Sequence, residues 1–521
     1  MDYKYGLLTG TVDEMDDYKR RPVLLSLGDG WSTLLTTVDD SRSPSQQWGP
    51  WGFGSIRKVK VFSFLFGLLA TFLIMASYIL TRDQNGLLLT PSPSHFRVMS
   101  HPVNLSLGKD YAGVKEVVRN IVAKVEFQQR EVPDLMELRE REPGIFSVIP
   151  RKFLPYLKNP CWYEEYTGNS TVDPYRQNLY ALYSKRFQAV YDHLRSAFQE
   201  HLHHHAGRRY RLRCLPYFYI IGQPKCGTTD LYDRLRLHPQ VQFTTMKEPH
   251  WWTRKRFGII RLSEGFRNPY PLKDYLDLFD QAAYEIQDLL GNFSRENTKT
   301  DIIIGEASAS TMWDNNAWVY FYDNRTGMEP PFLVQDFIHA VQPQARFIVM
   351  LRDPVERLYS DYLYFGMANK TVEDFHERVS ESLQLFEVCL AERSMRSCVY
   401  NTTLNNAMPV RLQVGLYVVY LLDWLSVFSR EQILVLRLED HATNRKDTMH
   451  RVFDFLHLGP LTQQKEADIT KSPASNTRKP ANRNLGPMLP VTKDILQDFY
   501  RPFNKRLAHV LHDPAFLWTQ P

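Results

Sequence analysis

The chain has 521 residues, 43% hydrophobic and 13% aromatic, enough for one large domain or two ordinary ones with appendages around a sizeable core. A net charge of +5 over this length is too mild to mark a nucleic-acid binder, though it is compatible with a local basic cleft for an anionic substrate. Five cysteines (Cys161, Cys214, Cys226, Cys389 and Cys398) are too few for a disulfide scaffold, but in an oxidising lumen four can pair and one stays free.

Residues 1–60 are rich in Gly, Ser, Asp and Trp without a sustained period, and read as a largely disordered cytosolic tail. Residues 61–80 (VFSFLFGLLATFLIMASYIL) carry no charge. As a helix rising about 1.5 Å per residue they span about 30 Å, the thickness of the bilayer hydrocarbon. Arg57, Lys58 and Lys60 precede the run, so the positive-inside rule places the N-terminus in the cytosol and the bulk of the chain across the membrane. Residues 90–95 (TPSPSH) read as a linker, and 114–142 as a charged helical stem.

Residues 180–205 read as an amphipathic helix ending in His201, His203, His204 and His205. A solvated helix end is the favoured reading of that cluster over a metal site, since no carboxylate or cysteine stands at ligand spacing from it. Six N-x-[ST] sequons, at Asn104, Asn169, Asn292, Asn324, Asn369 and Asn401, all follow the apolar segment, which fits a lumenal catalytic region, although residues 1–60 hold no Asn to compare.

From about Arg211 the chain alternates short apolar runs with helical stretches. The runs at 217–222 (YFYIIG), 302–305 (IIIG), 347–351 (FIVML) and 433–438 (ILVLRL) are typical of buried parallel strands. Helical patterns cover 275–290, 354–365, 410–428 and 449–456. The fold class is therefore α/β, a central parallel sheet covered by helices on both faces. The domain plan is a tail (1–60), a signal-anchor helix (61–80), a lumenal stem (81–205) and a catalytic domain (206–521).

The first strand runs directly into Gln223-Pro224-Lys225-Cys226-Gly227-Thr228-Thr229 and then a helix. Strand, tight loop and helix N-terminus make an anion site, where backbone N–H groups converge and the helix dipole favours negative charge. Gly222 and Gly227 have the G-x-x-x-x-G spacing of a nucleotide-triphosphate loop, but the lysine that should follow is Thr228, and the loop carries Lys225 instead. A triphosphate needs metal to neutralise its charge. A sulfuryl group leaves from a single phosphate, and one lysine at the bridging oxygen can stabilise it without metal. Cys226 lies inside this loop and is taken as the free thiol. Cys389 and Cys398 then close a short loop, and Cys161 pairs with Cys214.

The run 347–351 is followed by Arg352-Asp353-Pro354-Val355-Glu356-Arg357-Leu358-Tyr359-Ser360-Asp361-Tyr362. Pro354 suits a first helical turn. Arg352, with forked donors, and Ser360, with a hydroxyl, are placed to hold one phosphate together. Arg357 is either a helix-surface ion pair with Glu356 or Asp361, or a further anion ligand.

These two elements, P-K-x-G-T-T after the first strand and R-D-P-x-x-R-x-x-S-x-Y after a later one, resemble the paired donor-binding signature of the sulfotransferase family. The segments 221–258, 305–313 (GEASASTMW) and 351–365 resemble more narrowly the carbohydrate sulfotransferases of chondroitin and dermatan sulfate. The resemblance implies a P-loop-like sulfotransferase fold and a single-pass Golgi membrane enzyme with a lumenal catalytic domain. The implied donor is 3′-phosphoadenosine 5′-phosphosulfate, with no metal required. The implied acceptor is the 6-hydroxyl of 4-sulfated N-acetylgalactosamine, giving disulfated units. Lys225, Cys226, Gly227, Thr228 and Thr229 are then expected to hold the 5′-phosphosulfate, and Arg352 and Ser360 the 3′-phosphate. Arg478 and Lys479 (in SNTRKPANRN) stand where related enzymes close a basic loop over the nucleotide, without the cysteine and glycines seen in that loop elsewhere.

Transfer to an alcohol needs a base for the hydroxyl proton. In Lys247-Glu248-Pro249-His250-Trp251-Trp252 the resemblance makes Glu248 the base, with His250 the runner-up. Trp251 and Trp252 either pack a sugar face or fill the core. Arg254, Lys255 and Arg256 either contact acceptor sulfates or form a solvated loop. Glu306 is followed by Ala307 where heparan-type enzymes commonly have lysine, which implies a different acceptor geometry. The rival readings are a magnesium-dependent lumenal kinase or triphosphatase and a non-catalytic glycosaminoglycan-binding membrane protein. A homodimer stays open.

Overall fold

The computed structural model describes residues 107–519, apart from 170, 259–268, 293–300, 321–328, 367–369 and 479. The cytosolic tail, the apolar segment 61–80, the linker at 90–95, Lys479 and the sequons at Asn104, Asn324 and Asn369 lie outside the described residues. Among those described, no helix is long and apolar enough to cross a membrane.

The core is a five-stranded parallel sheet. Its strands, with those of a smaller sheet, are numbered in chain order: β1 (Cys161–Glu165), β2 (His203–His205), β3 (Arg208–Cys214), β4 (Phe218–Gly222), β5 (Val241–Phe243), β6 (Ile303–Ala307), β7 (Arg346–Leu351) and β8 (Ile433–Arg437). The parallel order is β5-β6-β4-β7-β8. Every residue of β4 and β6 is buried, which is why β4 and the first half of β6 read as apolar runs, and Glu306 is buried with the rest of its strand. Alternation still sorts the two faces. Tyr219, Ile221, Ile304, Phe347 and Val349 join the larger hydrophobic cluster, whereas Phe218, Ile220, Ile303, Ile348 and Met350 join the smaller one.

The smaller sheet is antiparallel, in the order β1-β3-β2. Cys161 faces Cys214 across β1 and β3, and the two are disulfide-bonded. Cys389 is bonded to Cys398, and Cys226 is the free, buried thiol. Both pairings are those expected from the sequence.

The expected helix over 180–205 is broken. Helices cover Leu179–Tyr183 and Lys185–Ala197, separated by Ser184, whose hydroxyl accepts from Phe187 N and caps the second. His203–His205 is an exposed edge strand, not a helix end. Ala206 and Gly207, both at positive φ (50° and 75°), supply the tight two-residue turn that pairs it with β3. His201 lies apart from the other three, stacked on Tyr284 and bonded to Asp288.

The helix Leu107–Ala123 packs against the helices Val372–Glu392 and Pro490–Leu511. It buries Val114, Val118 and Ile121 on one face, and Lys115 pairs with Asp494 at 2.5 Å. From residue 106 onward the chain therefore forms one compact unit, and the stem region expected to end at 205 contributes to its core.

Candidate active site

Chain order reverses at β4: the chain passes to β5 and β6 on one side of it, then to β7 and β8 on the other. In open parallel sheets the crevice beyond the strand ends at such a point is where ligands bind. The loops that follow β4 and β7 lie side by side there, because Gly222 pairs with Val349.

The first loop ends at Gly227, which caps the helix Thr228–Leu235 in a left-handed conformation (φ 90°). The left-handed backbone favours glycine here, and a Cβ would lie 2.6 Å from Leu438 Cδ1, which would have to move aside. Lys225 is also left-handed (φ 67°), and its ammonium lies 3.5 Å from the centroid of the Tyr364 ring. Thr228 and Thr229 form the first helical turn, with their N–H groups at the positive end of the helix dipole.

Cys226 departs from the expected role. Its side chain is fully buried, where burial pushes the thiol up to about 12, and its N–H donates to Gln223 O within the loop. Neither group faces the crevice, so Cys226 shapes the loop.

After β7, Asp353 caps the helix Pro354–Phe365, its carboxylate accepting from Val355 N at 2.9 Å. Arg352 is partly exposed at the strand end, with Glu356 3.6 Å away. Ser360 is half-buried on the helix, and one turn on, Tyr364 meets Lys225. The Tyr417 hydroxyl donates to Arg352 O at 2.8 Å and lies 3.8 Å from Cys226 Sγ. Tyr364 and Tyr417 thus join the two loops into one wall. Arg357 is fully buried, paired with Asp361 at 3.5 Å and bonded to Arg411 O, so it braces the helix from beneath.

The stretches 472–478 and 480–486 reach across both elements. Ser475 N donates to Asp230 at 2.7 Å and Arg234 donates to Ser472 O, which anchors one end to the phosphate-loop helix. The other end is held by Asn482 on Leu363 O and by Tyr359 donating to Gly486 O. Between them the Arg478 guanidinium lies over the Tyr359 ring, 5.5 Å from its centroid.

The loop after β5 carries the candidate bases. Glu248 (φ 60°) and His250 (φ 52°) are both left-handed, a conformation costing about 1–2 kcal/mol each for side chains of this kind. The end of β6 and the residues after it hold them there. Glu248 N donates to Ala307 O at 2.8 Å, Ala309 N donates to Glu248 Oε2 at 2.8 Å, and His250 Nδ1 and Ser310 Oγ are 2.7 Å apart. Burial acts to raise the Glu248 carboxyl, but the bonded ammonium of Lys247, the nearby His250 and the Ala309 N–H together hold it below its usual range. Burial, then the nearby Arg254, push His250 down to about 3. Both side chains remain 24% exposed, with His250 Nε2 3.6 Å from Glu248 Oε2.

Trp251 and Trp252 are buried core residues, their indole N–H groups bonded to Tyr270 O and the Tyr275 hydroxyl. The basic cluster is not a solvated loop: Arg254 pairs with Asp314 at 2.7 Å, and Arg256 lies against the rings of Phe257 and Phe337. Sequence reasoning missed Tyr364, Tyr417, Ser308 and Ser310. Tyr364 had a signal, falling one helical turn after Ser360, and so had Ser308 and Ser310, which stand in the polar stretch after Glu306.

A family model described as a sulfotransferase domain matches residues 215–485. Human carbohydrate sulfotransferase 15 is 59% identical over 508 residues, covering 93% of this chain and 90% of its own length. The rat protein of the same name matches to the same extent. Mouse heparan sulfate glucosamine 3-O-sulfotransferase 3B1 is 26% identical over 305 residues, covering 56% of this chain and 62% of its own.

Proposed function

The chain belongs to the sulfotransferase family, as a carbohydrate sulfotransferase drawing on 3′-phosphoadenosine 5′-phosphosulfate, and from that premise we propose its acceptor and the parts its residues play. The acceptor is the 6-hydroxyl of N-acetylgalactosamine 4-sulfate in chondroitin or dermatan sulfate, and the product carries disulfated units. What supports this is the resemblance of residues 221–258, 305–313 and 351–365 to enzymes of that class, with the high identity to the curated relatives.

Lys225 and the N–H groups of Thr228 and Thr229 take the 5′-phosphosulfate. Arg352 and Ser360 take the 3′-phosphate, and Arg478 covers it, with Lys479 sharing that role as the resemblance implies. The observation carrying this reading is the shared wall: Tyr417 touches both Arg352 and Cys226, and Tyr364 joins Lys225 to the helix bearing Ser360. One doubly anionic nucleotide can therefore be gripped at both ends.

The acceptor oxygen forms its bond to sulfur as the bond from sulfur to the bridging phosphate oxygen breaks, and Lys225 stabilises the charge left on that phosphate. The hydroxyl proton passes to Glu248. Its carboxyl is held ionised and partly open to solvent, whereas Glu306 nearby is 1% exposed and pushed up to about 8, chiefly by burial. His250 is a weak base at about 3, and its Nδ1 is already engaged with Ser310. It packs beside Glu248 and is not the proton acceptor.

We place the enzyme in the Golgi membrane with its catalytic unit in the lumen. The uncharged run 61–80 and two disulfides, which persist in oxidising compartments, support that location. Transfer from radiolabelled donor to chondroitin, dermatan and heparan chains, followed by disaccharide analysis, tests the acceptor. Label in a disulfated N-acetylgalactosamine unit is expected. Label confined to heparan chains, or to chondroitin units lacking the 4-sulfate, overturns the assignment.

A further inference from the structure

We infer that Glu306 is a positioning residue for the transfer reaction, fixing through the Ser308 hydroxyl the backbone that presents Glu248 and His250. The inference rests on the reading of Glu248 as the base and goes beyond it to what holds that base in place.

The loop bearing Glu248 and His250 does not hold its own shape, since both residues are left-handed and Pro249 between them has no N–H to donate. It is fixed from outside. The Tyr180 hydroxyl donates to Pro249 O at 2.9 Å on one side. On the other stands the chain leaving β6, where Ala307 O and Ala309 N both bond Glu248. Between those two contacts lies Ser308, whose oxygen accepts from His250 N–H at 3.0 Å.

A serine hydroxyl has one proton and rotates to suit its neighbours. Here the proton is committed: Ser308 Oγ donates to Glu306 Oε1 at 2.5 Å. With the proton directed there, the oxygen lone pairs are left for the His250 N–H. The result is a directional relay, from backbone N–H to hydroxyl to carboxyl, that ends on a side chain 1% exposed. Burying a carboxyl is costly, and an apolar residue would fill the space at less cost. The second oxygen, Oε2, has no hydrogen-bond partner among the described residues. Fold stability alone therefore gives no reason for a carboxyl here, whereas orienting Ser308 does. Burial, and to a lesser degree the nearby Glu248, hold Glu306 protonated near neutrality. With the acid proton on Oε2, Oε1 remains an acceptor, so the relay needs that oxygen and not a negative charge.

That distinction sets the test. Steady-state kinetics are measured for Ser308→Ala, Glu306→Gln, Glu306→Met and the double variant Ser308→Ala/Glu306→Met, with Glu248→Gln as reference. Affinity for adenosine 3′,5′-bisphosphate is measured by calorimetry on each. Loose positioning of the base should lower kcat by on the order of 10- to 100-fold in Ser308→Ala and Glu306→Met, with KM for donor and acceptor unchanged within about threefold. Glu306→Gln keeps the acceptor oxygen and should retain kcat. The double variant should fall no further than either single one, since both break the same relay. Wild-type kcat in Ser308→Ala, or equal loss in Glu306→Gln and Glu306→Met, overturns the relay. So does a loss that appears in nucleotide affinity instead of kcat. If Glu248→Gln itself keeps full turnover, the reading of the base fails, which is a separate result.

Discussion

The Lys225 ammonium lies 3.5 Å from the centroid of the Tyr364 ring, and this contact ties the phosphate loop to the helix bearing Ser360. A cation over an aromatic face gains about 0.5–2 kcal/mol, enough to pre-orient a flexible side chain but not to trap it. Lys225→Ala should therefore lower turnover by on the order of 100-fold, as for loss of a principal electrostatic donor. Tyr364→Phe keeps the ring and should retain most activity. Single-turnover transfer from labelled donor checks both.

Gly227→Ala sets a side chain on a backbone at φ 90° and against Leu438. The left-handed strain, about 1–2 kcal/mol, stays whatever the neighbour does, while the clash can be relieved. Thermal melting should show Gly227→Ala less stable than the wild type. Adding Leu438→Ala should recover the steric part and leave the rest. Full recovery would mean the backbone carries no strain.

Glu248 is held below the usual carboxylate range despite its burial, chiefly because Lys247 is bonded to it. A base of lowered pKa is active above that pKa and is lost only as pH falls through it. The acid limb of kcat/KM should thus lie below the range of an ordinary glutamate. In Lys247→Met the strongest opposing charge is gone, and the limb should move to higher pH. A pH–rate profile of the two proteins decides it; an unmoved limb places the titrating group elsewhere.

Asp230 stands in the first turn of the phosphate-loop helix. Burial acts to raise its carboxyl, but His441, Arg234 and Ser475 N–H outweigh that and hold it well below the usual range. A depressed carboxyl contributes stability that is fully present above its unfolded value and lost as pH falls through the folded one. Asp230→Asn leaves Arg234 buried without its counter-charge and should cost about 3–5 kcal/mol. It should also free the stretch 472–478 at Ser475. Denaturant melts and limited proteolysis read the two effects separately.

Much of the architecture was legible because β4, β6 and β7 are buried on both faces, so each carries an apolar run (218–222, 303–305 and 347–351), although β6 goes on to Glu306 and β7 opens on Arg346. The helix Pro354–Phe365 announced itself through Asp353 and Pro354, a cap and a first-turn proline. The edge strand His203–His205 did not, since an exposed strand of three like residues has no alternation to read and its turn lies outside it. The site was half visible. Lys225 and Arg352 declared themselves by sitting at strand ends. Tyr417, which joins their loops, stands 65 residues from Arg352 in sequence, and only the sheet brings it there. Arg256 looked like part of a surface cluster because its partner ring, Phe337, comes from a distant segment.

On this reading one nucleotide is gripped at both ends by the loops after β4 and β7. Calorimetric titration of adenosine 3′,5′-bisphosphate into the wild type, Lys225→Ala, Arg352→Ala and the double variant tests it most directly. The wild type should bind saturably at one nucleotide per chain, with affinity weakened by roughly 10- to 100-fold in each single variant, as for loss of a charge-assisted hydrogen bond, and further in the double. No binding by the folded wild type, or undiminished binding by the double variant, would contradict it.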